Sequence, residues 1–179
     1  MDRDSASWRA LLVNGTVGSG KTETAVRCGE LLSATGDRVA VVDLDWLRRA
    51  PAPADDPFNL ELELANLAAV CATYRAVGVR TIVLVGVLED PAARARYAQA
   101  VASDLRVVRL VVDPSVVQDR LRRRHTGPEA SAELRWHLDR APELETALDA
   151  AGLDDEVVET GRRSPLEVAR LVLSAVGWD

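Results

Sequence analysis

Gly15-Thr16-Val17-Gly18-Ser19-Gly20-Lys21-Thr22 is a complete G-x-x-x-x-G-K-[ST] phosphate-binding loop. Lys21 is the only lysine of the chain, and the other 21 basic side chains are arginines. A compact ammonium can bridge phosphate oxygens from a close-wrapped loop, whereas a planar guanidinium needs more room and a fork-shaped partner. The flanks suit the motif. Ala10-Leu11-Leu12-Val13 reads as a buried strand. Thr22 to Leu32 reads as a helix with Ala25, Val26, Cys28, Gly29, Leu31 and Leu32 on its packing side. Strand, glycine loop and helix aim successive N–H groups and a helix N-terminus at a phosphate. Gly15, Gly18 and Gly20 permit the backbone angles of such a loop. Thr22 is placed to put its hydroxyl on Mg²⁺.

Working outward, short apolar runs alternate with longer amphipathic ones. The predicted strands are 9–13, 38–42, 81–88, 106–112 and 156–159. The predicted helices are 21–34, 59–77, 91–103, 114–125, 131–150 and 164–176. Thr81 to Leu88 is apolar without alternation, as in a strand covered on both faces. Leu60, Leu64, Leu67, Val70, Cys71 and Tyr74 keep helical spacing, which outweighs the local Leu–Glu alternation at 60–64. Five strands alternating with helices predict an α/β fold: a doubly wound, five-stranded parallel sheet with helices on both faces. Ala50-Pro51-Ala52-Pro53-Ala54-Asp55-Asp56-Pro57 reads as a loop, either a cover for a substrate site or a plain surface connection.

Bulk properties narrow the function. At 179 residues the chain fits one domain with a sizeable core, expected over 1–179. A net charge of −6 argues against nucleic-acid binding by non-specific phosphate attraction. Cys28 and Cys71 sit in helical apolar patterns and read as packed free thiols of a reducing compartment, without a cysteine–histidine metal cluster. The sequence has neither an apolar segment of signal-peptide type nor a run that would span a bilayer. A cytoplasmic protein, monomer or homodimer, without nucleic-acid or membrane partners is expected.

Ligands in open α/β sheets gather at the carboxyl ends of strands. Asp43 follows the second strand and Asp45 comes two residues later, so both fall near the phosphate loop. They are read either as a catalytic pair, one holding water on Mg²⁺ and the other taking or fixing the proton of a substrate hydroxyl, or as a solvated strand-end turn in which Asp45 caps the next segment. Arg48 is read as a holder of an anionic acceptor or as a plain surface arginine. Arg120, Arg122, Arg123 and Arg124, followed by His125-Thr126-Gly127-Pro128, form a second cluster, with Arg135 and Arg140 beyond. It is read as a closing lid over about 120–140 that neutralises a transferring phosphoryl group, or as a basic helix C-terminus. His125 and His137 lack metal-like partners. Trp8, Trp46, Trp136 and Trp178 read as packing residues, with a wall of an acceptor pocket as the alternative for Trp46, next to Asp45.

With these pieces placed, the chain resembles the P-loop small-molecule kinases: the adenylylsulfate, shikimate and gluconate kinases and the chloramphenicol phosphotransferase. The phosphate loop carries the likeness most specifically. Asp43-Leu44-Asp45-Trp46-Leu47-Arg48 is similar to the D-G-D-x-x-R stretch of adenylylsulfate kinases and the D-x-D of shikimate kinases. Arg120-Leu121-Arg122-Arg123-Arg124 resembles the R-L-x-x-R at the start of the lid in nucleotide kinases. Thr160-Gly161-Arg162-Arg163-Ser164-Pro165 resembles the loop that lines the adenine. Leu44 stands in place of the adenylylsulfate-kinase glycine. Gly86 to Pro91 lacks that family's serine-proline signature.

The resemblance implies a nucleotide-kinase-like P-loop fold, with ATP and Mg²⁺ bound. It implies residues 15–22, Arg120, Gly161 and Arg162 at the nucleotide, Thr22 and Asp43 at the metal, and Asp45 and Arg48 at the acceptor. Lys21, Asp43, Asp45, Arg120 and Arg124 would be catalytic. The leading expectation is phosphoryl transfer from ATP to a hydroxyl of a small metabolite. A nucleoside or nucleotide kinase is the alternative. A GTPase switch would need an N-K-x-D motif, which a chain with Lys21 as its sole lysine lacks. A motor ATPase or an idle nucleotide-binding module fits less well.

Overall fold

The computed structural model describes residues 8–124 and 131–178. Its five strands are β1 (Arg9–Gly15), β2 (Val39–Asp43), β3 (Thr81–Val85), β4 (Leu105–Val111) and β5 (Glu156–Glu159). The helices are α1 (Lys21–Ala34), α2 (Leu44–Leu47), α3 (Leu60–Ala76), α4 (Pro91–Val101), α5 (Pro114–Arg124), α6 (Ser131–Ala151) and α7 (Pro165–Ala175). All strand pairs are parallel, in the order β2-β3-β1-β4-β5. The doubly wound parallel sheet expected from the sequence is the fold found.

The central strand explains the order. Residues 10–15 of β1 are buried, because helices cover both faces of the sheet. Leu11 and Val13 face α1 and α7, against Ala25, Cys28, Leu32, Val168 and Val172. Ala10 and Leu12 face α3 and α4, against Leu64, Leu67, Cys71, Tyr97 and Val101. Each fully buried Leu or Val stabilises by roughly 1.5–3 kcal/mol before chain entropy is charged against it. A third, smaller cluster joins α5 and α6 through Val117, Leu121 and Ala141. Burial lifts the thiols of Cys28 and Cys71 to about 12 and about 11, so both stay protonated. Among the described residues, no helix is long and apolar enough to cross a membrane.

Several boundaries differ from the sequence reading, each for a local reason. The strand predicted over 81–88 ends at Val85, where the Leu44 side chain occupies the space beside Gly86. Beyond it, the backbone of Leu88 pairs with the amide of Asn14 rather than with a strand. The short α2 forms because the Asp43 carboxylate accepts the N–H of Asp45 at 3.1 Å and caps it. In α1, Thr24 takes the packing position predicted for Val26, which is exposed. α7 opens with a capping box: Ser164 Oγ accepts from Glu167 N–H, and the Glu167 carboxylate accepts from Ser164 N–H.

Candidate active site

β1 is flanked by β3 on one side and β4 on the other, so the chain switches direction across the sheet at the end of β1. A cleft of 1210 Å³ opens there. Single-ligand pockets run to about 1,000 Å³, so two small substrates fit side by side.

The phosphate loop lies at its floor. Gly15 has φ +139, and a Cβ there would meet Leu110 O at 2.7 Å. Gly20, at φ +94, is the turn from which α1 starts. Lys21 Nζ donates to the carbonyls of Gly15 (2.7 Å) and Thr16 (2.8 Å), which holds the ammonium over the loop. Burial lowers its pKa to about 8, while the nearby Asp45 and Asp43 oppose that fall. Thr22 Oγ1 stands 3.5 Å from Asp43 Oδ2. Val17, Gly18, Ser19 and Gly20 line the cleft, whereas Thr16 turns away and donates its hydroxyl to Ala141 O of α6 at 2.8 Å.

Arg120, on α5, donates to Ser19 O at 3.0 Å, and Arg124 lines the cleft one turn later. The sequence-predicted Gly161 and Arg162 lie in the turn after β5 but do not line the cleft. Thr160 and Arg163 line it instead. Gly161, at φ +54, turns the chain, and Arg163 folds back onto Glu159 O. Among the described residues, the buried hydroxyl oxygens of Ser19 and Thr160 have no hydrogen-bond partner.

Across the cleft, Asp45 and Arg48 are brought together rather than left separate. Arg48 donates to Asp45 Oδ1 through Nε and Nη2, and its Nε lies 3.4 Å from the Oε2 of Glu63. Glu63 is 1% exposed, accepts a hydrogen bond from the Tyr97 hydroxyl, and is lifted above the ordinary carboxylate range by burial. The Asn59 amide donates to the carbonyls of Arg48 (3.0 Å) and Ala50 (2.7 Å) and pins the proline-rich loop beside Asp45. Ala50, Ala52 and residues 56–60 of this segment line the cleft, so it covers the site. Trp46 is exposed and stacks under Arg49 without lining the cleft. The aromatic walls are Phe58, Tyr97 and Trp136, the last read from sequence as packing. His137 also lines the cleft. His125 and Thr126-Gly127-Pro128 lie outside the described residues.

Two polar residues escaped the sequence reading. Asn14, fully buried, accepts from Gly15 N (2.9 Å) and Leu88 N (3.1 Å) and donates to Leu88 O (3.2 Å) and Asp154 (3.0 Å). Arg109 of β4 meets Glu145 at 3.0 Å, Asp149 at 2.5 Å and Asp154 at 2.9 Å. The signal available for both was a polar side chain interrupting an apolar strand.

No family model matches the sequence, and no curated protein does. Solved structures do. The tunicamycin resistance protein of Deinococcus radiodurans superposes with TM-score 0.64 at 17% identity, covering 96% of this chain and 97% of that one. A gluconokinase of Sinorhizobium meliloti 1021 superposes at 0.59 and 20% identity, covering 94% and 91%. The adenylylsulfate (APS) kinase of Mycobacterium tuberculosis, solved with AMPPNP and APS, superposes at 0.59 and 21% identity, covering 96% and 98%. At these identities the likeness establishes the fold alone: the chain shares the parallel-sheet fold of these structures.

Proposed function

We propose that the protein transfers the γ-phosphoryl group of ATP to a hydroxyl of a small molecule, and that residues 1–179 act as one kinase domain with a lid over about 120–140. The observation that carries this is a single cleft. It holds Lys21, the Thr22–Asp43 pair and the Asp45 carboxylate together. Kinases of small molecules among the structural neighbours support the reading.

The donor set fits a magnesium ion. A hydroxyl and a carboxylate, both hard oxygen donors, stand together at the start of α1. The partnerless Ser19 hydroxyl shows further hydrogen-bonding capacity in the same loop. Bound there, the ion would neutralise charge on the phosphates. The rest falls to the chain. Backbone N–H groups of residues 15–22 cradle the phosphates, and Lys21 swings from its two carbonyls to bridge them. Asp45, oriented by Arg48, takes the proton of the acceptor hydroxyl as its oxygen bonds to phosphorus and the bond to the leaving phosphate breaks. Arg120 and Arg124 stabilise the charge that spreads over the moving group.

The test is a mass-spectrometric screen. The protein is incubated with Mg·ATP and a pool of hydroxylated metabolites, nucleosides and nucleotides, and products are searched for the gain of one phosphoryl group. A phosphorylated product absent with Lys21→Ala is expected. ADP release that ignores every acceptor would replace the kinase with an ATPase.

A further inference from the structure

The cleft is divided by charge along the line of β1. Lys21, Arg120, Arg124 and Arg163 line the side of the phosphate loop and β5. Asp43, Asp45, Asp56, Glu89 and Asp90 line the side of β2 and β3, and Glu23 of α1 is an acid on the phosphate-loop side. Two guanidiniums also reach the acidic side, and both are already partnered. Arg48 is held by Asp45 and backed by Glu63. Arg140 is bound to both oxygens of Glu89 at 3.1 Å, with Glu143 at 3.9 Å. Among the described residues, no lysine or arginine on this side is left to meet an anion. Over the same region stand two aromatic rings, Phe58 (68% exposed) and Trp136 (60% exposed). Large apolar side chains this open mark a binding surface when they line a cleft. Aromatic faces beside carboxylates are the chemistry that holds an ammonium group.

We propose that the acceptor is a hydroxyl compound carrying a protonated amine and no anionic group, with an apolar flank that Phe58 and Trp136 cover. This rests on the kinase reading above. Arg48 serves the site by holding Asp45, not by binding the acceptor.

Three probes share a phenyl ring and a hydroxyl and differ in charge: phenylalaninol (cation), 3-phenyl-1,2-propanediol (neutral) and 3-phenyllactate (anion). Each is titrated calorimetrically into the full chain loaded with Mg·AMPPNP at low salt. Phenylalaninol is expected to bind at least about tenfold tighter than phenyllactate, with the diol between, and the gap should narrow as salt is added. Asp90→Asn keeps the cap on Ala92 N–H, because asparagine caps as well as aspartate. Removing that one charge should shrink the ratio by about threefold. Phe58→Ala should weaken all three probes alike. Phenyllactate binding as tightly as phenylalaninol, or binding by none of the three at millimolar concentration, overturns the proposal. The AMPPNP titration separates the two readings. Nucleotide binding with an anion-preferring acceptor side sinks only the amine, whereas failure to bind AMPPNP sinks the kinase and the amine with it.

Discussion

Arg109→Ala is the substitution whose cost the structure sets most directly. The guanidinium sits in the sheet, 9% exposed, and faces three carboxylates. They do not count equally. Asp149 is 64% exposed, and water screens its share to nearly nothing. Asp154 is 5% exposed, and without Arg109 Nε at 2.9 Å it becomes a buried charge whose remaining support is Asn14. Breaking a buried pair from one side costs about 3–5 kcal/mol, and the lower end applies because only one of the three acids is deeply enclosed. A loss of about 3 kcal/mol lowers the melting temperature of a domain this size by roughly 6–12 °C. The assay is urea unfolding followed by circular dichroism, at two pH values. Burial already holds Asp154 and Glu145 above the ordinary carboxylate range. A carboxyl raised in the folded state keeps its proton where the unfolded chain has lost it. Its contribution is therefore complete below about pH 4 and lost as pH rises through the raised value. Removing Arg109 raises both acids further. The variant's deficit should be full near about pH 7.5 and smaller near about pH 5. A loss under about 1 kcal/mol, or one equal at both pH values, would refute the assignment of Arg109 as the counter-charge of Asp154.

Gly15→Ala must place a Cβ 2.7 Å from Leu110 O at φ +139, so urea unfolding should show a loss of about 1–3 kcal/mol. A neutral result would mean the loop is not held against β4. Ser164→Ala removes one half of the α7 capping box and should cost about 1 kcal/mol, read from the same unfolding curves. Asp45→Asn should cut kcat by about 10²–10⁴-fold in the phosphoryl-transfer assay while nucleotide affinity holds. Full transfer activity in that variant would remove Asp45 from its proposed role.

The strand–loop–helix at 9–34 was legible because every requirement of the phosphate loop is local: glycines, a lysine and the flanking periodicities lie within one short window. Asp43 and Asp45 followed from their place at a strand end. What stayed hidden depends on partners distant in sequence. Glu61 and Glu63 look alike in a Leu–Glu alternation, yet Glu61 pairs with Arg96 in solvent and Glu63 is buried under Arg48 and Tyr97. Which glutamate turns inward depends on the rotation of α3 against α4, and no local pattern carries that. The contact of Arg48 with Glu63 was hidden for the same reason, since the two lie 15 residues apart in the chain. Trp136 rather than Trp46 lines the cleft, because the position of an aromatic ring depends on the neighbouring helices, not on the residues beside it.

The scarcity of lysine gives the cleft a built-in reporter. An amine-selective acylating reagent has one side chain to find here, Lys21, besides the terminal amine. With its pKa lowered to about 8, that amine is neutral and nucleophilic in about half the molecules at mild alkalinity. A single added mass on the peptide spanning the loop therefore measures whether the cleft is open, and its suppression by a bound ligand counts occupied molecules one by one, without tag, dye or mutation.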